Sequence, residues 1–128
     1  MDMYYKDASG CERFPIVSTQ KDLLQLGLLG NNMSLSGGMR IIGKLDLERT
    51  QKAIQKLYDA NDALRIKIFT EEGEFFQRVL NEYEYRLEVI QTKGDTREEK
   101  YKYAENDLIE NIKADIDVFK DDLFRVRL

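Results

Sequence analysis

Apolar residues recur along this chain with two different periods, and the changes of period divide it into helices and strands. Residues 18–30, STQKDLLQLGLLG, repeat leucine at helical spacing. Ser18 and Thr19 can each cap the start of a helix, and Gly30 is a suitable C-terminal stop. These features predict a first helix that ends close to Gly30.

Residues 39–45, MRIIGKL, change to the alternating pattern of a strand, with Met39, Ile41 and Leu45 separated by basic residues. Asp46 can cap the next helix, because its carboxylate can accept hydrogen bonds from free N–H groups in the first turn. Apolar residues then follow a helical period as far as Tyr58. We therefore predict a strand followed directly by a second helix.

Two strand-like segments with a tight connection predict a β-hairpin. Residues 64–70 and 74–80 carry the strand patterns, and Gly73 between them can take a positive φ. Residues 85–89 alternate again and predict one more strand before the polar turn at residues 92–95.

The last third of the chain predicts a long helix and a final strand. Thr96 and Glu99 have the spacing of a capping box, and apolar residues then lie along one helix face as far as Ile116. In residues 123–128, LFRVRL, apolar residues alternate with Arg125 and Arg127, as in a half-exposed strand. Because the sequence stops inside this pattern, we suspect a truncated chain.

The order of elements favours an α+β fold. A hairpin is incompatible with a strictly alternating βα chain, so we expect a mixed or antiparallel sheet packed by helices. A length of 128 residues lies within the size range of one hydrophobic core. We therefore expect residues 1–128 to form a single domain.

Composition excludes several function classes. Hydrophobic residues make up 42% of the chain and charged residues 34%, as in ordinary folded domains. A net charge of -4 gives no broad positive field to attract nucleic acid or anionic lipid. The N-terminus is polar and no apolar run reaches the length of a membrane helix. We expect a cytoplasmic protein with no nucleic-acid or membrane partner.

The absence of histidine removes most common catalytic sites. Ser-His-Asp and Cys-His catalysis and zinc sites with imidazole ligands all need this side chain. The single cysteine, Cys11, cannot form an internal disulfide or a Cys-x-x-Cys site, and no glycine-rich stretch has the spacing of a phosphate-binding loop. We expect no catalytic residue, no metal site and no directly bound cofactor in this chain.

The other conspicuous polar residues have structural explanations. An arginine on a strand is usually solvated or paired with an acid, and this applies to Arg65, Arg125 and Arg127. Gln20 is expected to bond the backbone near the first helix. The tyrosines and lysines that alternate at residues 100–103 indicate core contacts and solvated lysines rather than base stacking.

Residues 43–80 resemble the early part of the condensation domains of nonribosomal peptide synthetases. That family has, in order, a Gly-x-Leu-Asp strand end, an amphipathic helix, an Arg-His-Glu-x-Leu-Arg-Thr segment and a Gln-x-Val strand. The positions that fit here are Gly43, Leu45, Asp46, Leu64, Arg65, Gln77 and Val79.

Two flanking stretches extend the resemblance over nearly the whole chain. Residues 14–26 are similar to the family's Ser-x-Ala-Gln-x-Arg-Leu-Trp-x-Leu motif through Gln20, Leu23 and Leu26. Residues 121–128 are similar to its Pro-Leu-x-Arg-x-x-Leu strand, with matches at Leu123, Arg125 and Leu128. The positions that depart from the first two motifs are Val17, Thr19, Asp22, Leu24, Ala60, Asn61, Asp62 and Ile66.

The resemblance implies a fold similar to chloramphenicol acetyltransferase, in which two lobes enclose the active site and a tunnel for two phosphopantetheine arms. The family's catalytic signature, His-His-x-x-x-Asp-Gly, follows shortly after the strand that residues 121–128 resemble. The chain would then be most of the N-terminal lobe, without the histidines and the second lobe. The implied partners are the remainder of the condensation domain and peptidyl or acyl carrier proteins, which carry the phosphopantetheine.

Two functional hypotheses follow. In the first, the chain is a fragment of a condensation-type acyltransferase whose parent forms an amide between carrier-bound thioesters, and the fragment is inactive alone. In the alternative, it is a noncatalytic condensation-like interaction module, and an unrelated α+β domain is a third option. Under either main hypothesis an uncovered apolar surface and strand edge favour self-association into a dimer or larger oligomer.

Overall fold

The computed structural model describes residues 5–6, 12–30, 34–114 and 116–128. In this part of the chain the helices are α1 (Ser18–Leu28), α2 (Leu47–Ala60) and α3 (Arg97–Lys113). The strands are β1 (Tyr5–Lys6), β2 (Glu12–Pro15), β3 (Ile66–Glu71) and β4 (Glu74–Val79). A short 3-10 helix, Asp62–Arg65, joins α2 to β3. The predicted α+β class is confirmed.

The four strands form an antiparallel sheet in the order β1-β2-β4-β3. The predicted hairpin is confirmed as β3 and β4, which pair from Ile66 opposite Val79 to Glu71 opposite Glu74. β2 pairs with β4 at Phe14 opposite Gln77. This strand was missed, because four residues ending in proline carry too short a pattern to recognise.

The hairpin turns through two consecutive residues with positive φ. Glu72 has a φ of 51° and Gly73 a φ of 82°, and they lie between the last cross-strand pair. Positive φ at both central positions is the type I′ geometry that matches the twist of the flanking strands. The expectation for Gly73 is confirmed. Glu72 adopts the same conformation at a steric cost that glycine avoids.

Side chains cap the starts of α2 and α3 as predicted. The Asp46 carboxylate accepts a hydrogen bond of 3.0 Å from the Arg49 backbone N–H. The Thr96 hydroxyl accepts from the Glu99 N–H at 3.2 Å, and the Glu99 carboxylate accepts from the Thr96 N–H at 3.1 Å. Backbone N–H donors at Thr96 and Asp95 lower the pKa of Glu99. Both caps stabilise helix ends that face solvent.

The first helix starts differently from the prediction. α1 begins at Ser18, but neither Ser18 nor Thr19 caps it, since Val17 occupies the cap position and makes no side-chain cap bond. Instead the Gln20 side chain accepts a hydrogen bond of 3.0 Å from the Val17 N–H, which confirms the backbone bond expected for Gln20. At the other end Gly30, with a φ of 87°, donates its N–H to the Gly27 carbonyl, as a C-terminal stop should.

The prediction of a strand at residues 39–45 is wrong. Residues 34–46 form neither helix nor strand, and Met39 and Ile42 are 89% and 82% exposed. The segment touches α3 where the Arg40 guanidinium lies 4.2 Å from the centre of the Tyr101 ring. A strand needs a partner edge for its N–H and C=O groups, and within the described residues this segment has none.

The strands predicted at residues 85–89 and 123–128 are reduced to a single parallel bridge, Glu88 opposite Arg127. The Leu128 N–H donates to the Glu88 carbonyl at 2.9 Å, and the Ile90 N–H donates to the Leu128 carbonyl at 2.7 Å. The two segments therefore do pair with each other, but only at their ends.

The predicted extension of α3 to Ile116 is also wrong, because the helix ends at Lys113. The Asp117 N–H donates to the Asp121 carboxylate at 2.9 Å, and the Phe119 N–H donates to the Asp117 carboxylate at 3.1 Å. Aspartate side chains that bond nearby N–H groups offer the backbone an alternative to the helix.

The core lies between α2 and the segments that follow the hairpin. Ile54, Tyr58 and Tyr85 are buried together, and partly buried residues packed against them include Leu64, Tyr83, Leu87 and Val126. Much apolar surface stays uncovered on α1 and α3, including Leu23, Leu26, Leu28, Leu108, Ile109 and Ile112. None of the described helices is long and apolar enough to cross a membrane.

The turn geometry predicts opposite effects of two neighbouring substitutions. Gly73→Ala should lower the free energy of unfolding by about 1 kcal/mol, because a side chain there must adopt a left-handed conformation. A Cβ at this position would meet no atom within 4 Å, so the cost is conformational. Glu72→Gly should raise the free energy of unfolding by relieving the same strain. Urea denaturation measures both effects.

Gly37→Ala is the matched control, because its Cβ would also lie in open space and its φ is outside the left-handed range. A Gly73→Ala variant no less stable than Gly37→Ala would contradict the turn geometry.

Candidate functional site

Three tyrosines form a stack in the centre of the core, here called the tyrosine cluster: Tyr58, Tyr83 and Tyr85. The Tyr58 ring is fully buried and lies between the other two, with ring centres 5.0 Å from Tyr83 and 4.6 Å from Tyr85. The planes are within 18° of parallel. A stack of this kind carries hydroxyl groups into the protein interior, and each must find a hydrogen-bond partner there.

All three hydroxyls bond to residues 122–128, here called the C-terminal segment. Tyr58 donates to the Phe124 carbonyl at 2.6 Å, and Tyr83 donates to the Asp122 carboxylate. The Tyr85 hydroxyl both donates to the Val126 carbonyl and accepts from the Val126 N–H at 2.7 Å. With the Leu128 bonds already described, the contacts fall on every second residue from Asp122 to Leu128.

Two glutamines of α2 hold the segment that carries Tyr83 and Tyr85. The Gln55 side chain donates to the Tyr83 carbonyl at 2.6 Å and accepts from the Tyr85 N–H at 2.8 Å. The Gln51 side chain donates to the Tyr85 carbonyl and accepts from the Leu87 N–H at 2.7 Å. Side chains four apart on a helix lie about 5–6 Å apart, close to the two-residue rise of a strand.

The glutamine pair therefore takes the place of a neighbouring strand. Each side-chain amide offers one donor and one acceptor, as a peptide group does. The backbone N–H and C=O groups of residues 83–87 form hydrogen bonds with these α2 side chains. They are therefore not available to pair with another strand, which explains why the predicted strand at residues 85–89 does not form a longer ladder.

Burial keeps the tyrosines of the cluster neutral, because it raises the pKa of all three. Burial raises the pKa of Tyr58, with a further contribution from the adjacent Tyr85. Burial likewise raises the pKa of Tyr83, and its hydrogen bond to Asp122 adds to the effect. Groups with pKa values above the ordinary tyrosine value are poor proton acceptors near neutral pH. The hydroxyls therefore stay protonated and donate the hydrogen bonds described above.

Asp122 links the cluster to the sheet. Its carboxylate lies 2.6 Å from the Lys67 Nζ on β3, which also donates to the Asp121 carbonyl at 3.0 Å. Burial acts to raise the pKa of Asp122, but the hydrogen bonds from Lys67 and Tyr83 outweigh it, and the pKa is lowered. The carboxylate therefore stays ionised and can accept bonds from both donors.

Arg65 joins the end of α2 to the end of β4. Its Nε donates to the Tyr58 carbonyl at 2.8 Å, Nη1 donates to the Leu80 carbonyl, and Nη2 pairs with Asp62 at 2.5 Å. The side chain is 11% exposed. Each of these contacts is structural. Arg127 pairs with Glu88 and, at 3.4 Å, with Asp107 of α3, while Arg125 is exposed.

Among the described residues, no group of three or more His, Cys, Asp or Glu side chains is arranged to hold a metal ion. An open groove lies between α2 and residues 81–84 and is lined mainly by polar and charged side chains.

Comparison with known proteins decides the family. Residues 12–128 match the family model described as Condensation domain. The chain belongs to the condensation domain family. Its resemblance to the condensation domains of nonribosomal peptide synthetases is confirmed, and membership supports the chloramphenicol-acetyltransferase-like lobe.

Two curated relatives of this condensation-domain chain are peptide synthetase proteins. It is 34% identical over 90 residues to tyrocidine synthase 3 of Brevibacillus parabrevis, a match that covers 68% of the chain and 1% of the relative. It is 28% identical over 101 residues to surfactin synthase subunit 2 of Bacillus subtilis strain 168, covering 76% of the chain and 3% of the relative. The chain thus spans a very small part of each. These matches favour the condensation-type fragment over the noncatalytic module.

Several positions at which this condensation-domain chain departs from the family motif have local structural roles. The Asn61 side chain donates to the Leu57 carbonyl at 2.8 Å and so bonds the last turn of α2. Asp62 pairs with Arg65, and Ile66 starts β3 opposite Val79. The departures therefore stabilise the helix-to-strand junction.

Sequence reasoning missed the residues that build the site. The spacing of Tyr83 and Tyr85 places both rings on one face of an extended segment, and Gln51 and Gln55 share a helix face with buried Ile54 and Tyr58. Polar residues next to the apolar face of a helix were the available signal. The partners of the site residues lie 28 to 66 residues away in sequence, so the pairing could not be inferred locally.

The glutamine pair generates a stability prediction. Gln55→Ala should lower the free energy of unfolding by about 2–3 kcal/mol, because it leaves the Tyr83 carbonyl and the Tyr85 N–H without partners. Gln55→Glu keeps the acceptor for the Tyr85 N–H and should fall between Gln55→Ala and wild type. Urea denaturation followed by circular dichroism measures the series.

Lys56→Ala, on the exposed side of the same helix, is the control and should change the free energy of unfolding by less than about 0.5 kcal/mol. Equal losses for Gln55→Ala and Lys56→Ala would show that the glutamine does not hold residues 83–87.

Proposed function

We propose that residues 1–128 form one domain, the N-terminal lobe of a condensation-type acyltransferase of nonribosomal peptide synthesis. The match of residues 12–128 to the Condensation domain family is the observation that carries the proposal. The chain has no histidine, and the family signature His-His-x-x-x-Asp-Gly follows the strand that residues 121–128 resemble. The imidazoles would therefore come from the remainder of the condensation domain.

The reaction of the complete protein joins two acyl units held as thioesters. The amine of an acceptor aminoacyl thioester attacks the carbonyl carbon of a donor acyl thioester, so that a C–N bond forms and the donor C–S bond breaks. The amine loses a proton, and the released donor thiolate becomes a thiol. A histidine of the complete domain would accept that proton or position the amine, while the enclosing lobes hold both reactants together.

The partners follow from this chemistry. Peptidyl or acyl carrier proteins would present both thioesters on their phosphopantetheine arms. The loaded arms would enter the reaction as substrates. The remainder of the domain would cover apolar surface that is exposed here, on residues 39–42 and on the outer faces of α1 and α3. Without that cover, two or more copies of the chain would bury the same surface against each other.

Amide formation tests the proposed function. The 128-residue chain and the product of the continuous reading frame beyond Leu128 are each mixed with donor and acceptor carrier proteins loaded as thioesters. We expect mass spectrometry to show the amide on the acceptor carrier only with the longer protein. Amide formed at comparable rates by the 128-residue chain would contradict the proposal, and so would a longer reading frame with no histidine signature.

Self-association of the 128-residue chain is tested by analytical ultracentrifugation. We expect a dimer or larger species that shifts towards monomer in Met39→Glu and Ile42→Glu, because charge at these exposed apolar positions opposes their burial. Lys102→Glu changes an exposed residue of α3 and is the control. A monomeric wild-type chain at high concentration would contradict self-association without bearing on amide formation.

A further inference from the structure

We propose that Tyr58 and Tyr85 are positioning residues for amide formation: their hydroxyls fix the register of the C-terminal segment, and through it the place of the residues that follow Leu128. The inference rests on the proposed function, because it assigns these tyrosines to the support of catalytic groups in the complete domain. The proposed function assigns no role to individual side chains of this lobe, whereas this inference names Tyr58 and Tyr85 as the residues that position the catalytic groups.

The C-terminal segment lacks the regular hydrogen-bond ladder of a strand, although Arg127 pairs with Glu88 and Asp107, and Asp122 pairs with Lys67. It forms only one bridge, at Arg127, and no regular strand. Leu123 and Phe124 are more than a third exposed, so burial of its apolar side chains is incomplete. The bonds from the tyrosine hydroxyls and from residues 88 and 90 hold its backbone, and together with these ion pairs they oppose sliding of the segment along its length.

The spacing of those bonds makes the register specific. The bonds fall on Asp122, Phe124, Val126 and Leu128, and the chain bends at Leu123 and Phe124 before it reaches the bridge at Arg127. A slip of one residue would turn the backbone groups of Val126 and Leu128 away from Tyr85 and from residues 88 and 90. It would also move the Asp122 carboxylate away from Tyr83.

A slip of two residues is opposed by a different contact. The Tyr58 and Tyr85 hydroxyls bond backbone groups, which recur every two residues, so these bonds could form again. The bonds of Asp122 could not form again after such a slip, because its side-chain carboxylate, and not its backbone, bonds Tyr83 and Lys67. The tyrosine hydroxyls thus hold the segment, and Asp122 selects which register they hold.

Helix α2 holds both tyrosines in place. Tyr58 belongs to α2, and the backbone around Tyr85 is bonded at both N–H and C=O to glutamine side chains of the same helix. Displacement by two residues would move the chain by about 6.6 Å. A misplacement of about 1 Å can already cost roughly a hundredfold in rate, so the register of this segment would decide activity.

Hydrogen exchange of the 128-residue chain tests directly whether the tyrosine hydroxyls hold the C-terminal segment. Tyr85→Phe should make the Val126 and Leu128 amides exchange roughly tenfold faster, while the amides of β3 and β4 keep their rates. Tyr58→Phe should have a smaller effect, because its hydroxyl makes one bond to the segment and the Tyr85 hydroxyl makes two. Unchanged exchange at Val126 and Leu128 in Tyr85→Phe would overturn the inference.

Tyr103→Phe is the matched control, because within the described residues its hydroxyl makes no hydrogen bond and the ring lies on α3 near Lys93. Its exchange rates should equal those of wild type. Asp122→Asn weakens the register contact without removing an aromatic ring, and should also accelerate exchange in the C-terminal segment.

Kinetics of the complete domain test the positioning role. In Tyr85→Phe, kcat for amide formation should fall roughly tenfold or more, with KM for both carrier substrates unchanged, at a temperature where circular dichroism shows every variant folded. Faster exchange with an unchanged kcat would overturn the positioning role of Tyr85, although the tyrosine hydroxyls would still be shown to hold the C-terminal segment. A wild-type complete domain that forms no amide would overturn the proposed function and this inference together.

Discussion

The fold depends on side chains that bond the main chain of distant segments. A buried hydroxyl or amide without a partner costs about 1–3 kcal/mol, so each such group in the core must be matched. Here the matches are made by Gln51 and Gln55 to residues 83–87, and by Tyr58 and Tyr85 to the C-terminal segment. Three segments far apart in sequence are joined in this way without a continuous ladder of strands.

This arrangement separates what could be predicted from what could not. α2 and the β3–β4 hairpin were predicted because their signals are local: Asp46 caps the helix, and Gly73 permits the turn. The segments at residues 39–45, 85–89 and 123–128 have strand-like patterns, but a strand also needs an edge to pair with. Residues 85–89 instead bond helix side chains, and residues 123–128 bond tyrosine hydroxyls and the backbone of residues 88 and 90. No alternation in the sequence indicates these partners.

The family could be recognised from sequence for a related reason. One of its motifs lies at the junction around Arg65, where a helix end, a 3-10 helix and a strand start are joined. Asn61 and Asp62 depart from that motif but still make local bonds at the junction. The tyrosine cluster has no counterpart among the motifs that carried the resemblance, so it could be found only from the three-dimensional arrangement.

The hydrogen bonds from Gln51 and Gln55 to the backbone of residues 83–87 have a consequence for which residues of this chain can change in evolution. Gln51 and Gln55 contact atoms that every residue type except proline possesses, and the intervening Glu84 and Arg86 side chains point to solvent. Substitution of Glu84 or Arg86 therefore carries little structural penalty, whereas Gln51 and Gln55, which bond the backbone of residues 83, 85 and 87, tolerate little change. Homologous lobes with very different residues in this region could share one backbone path.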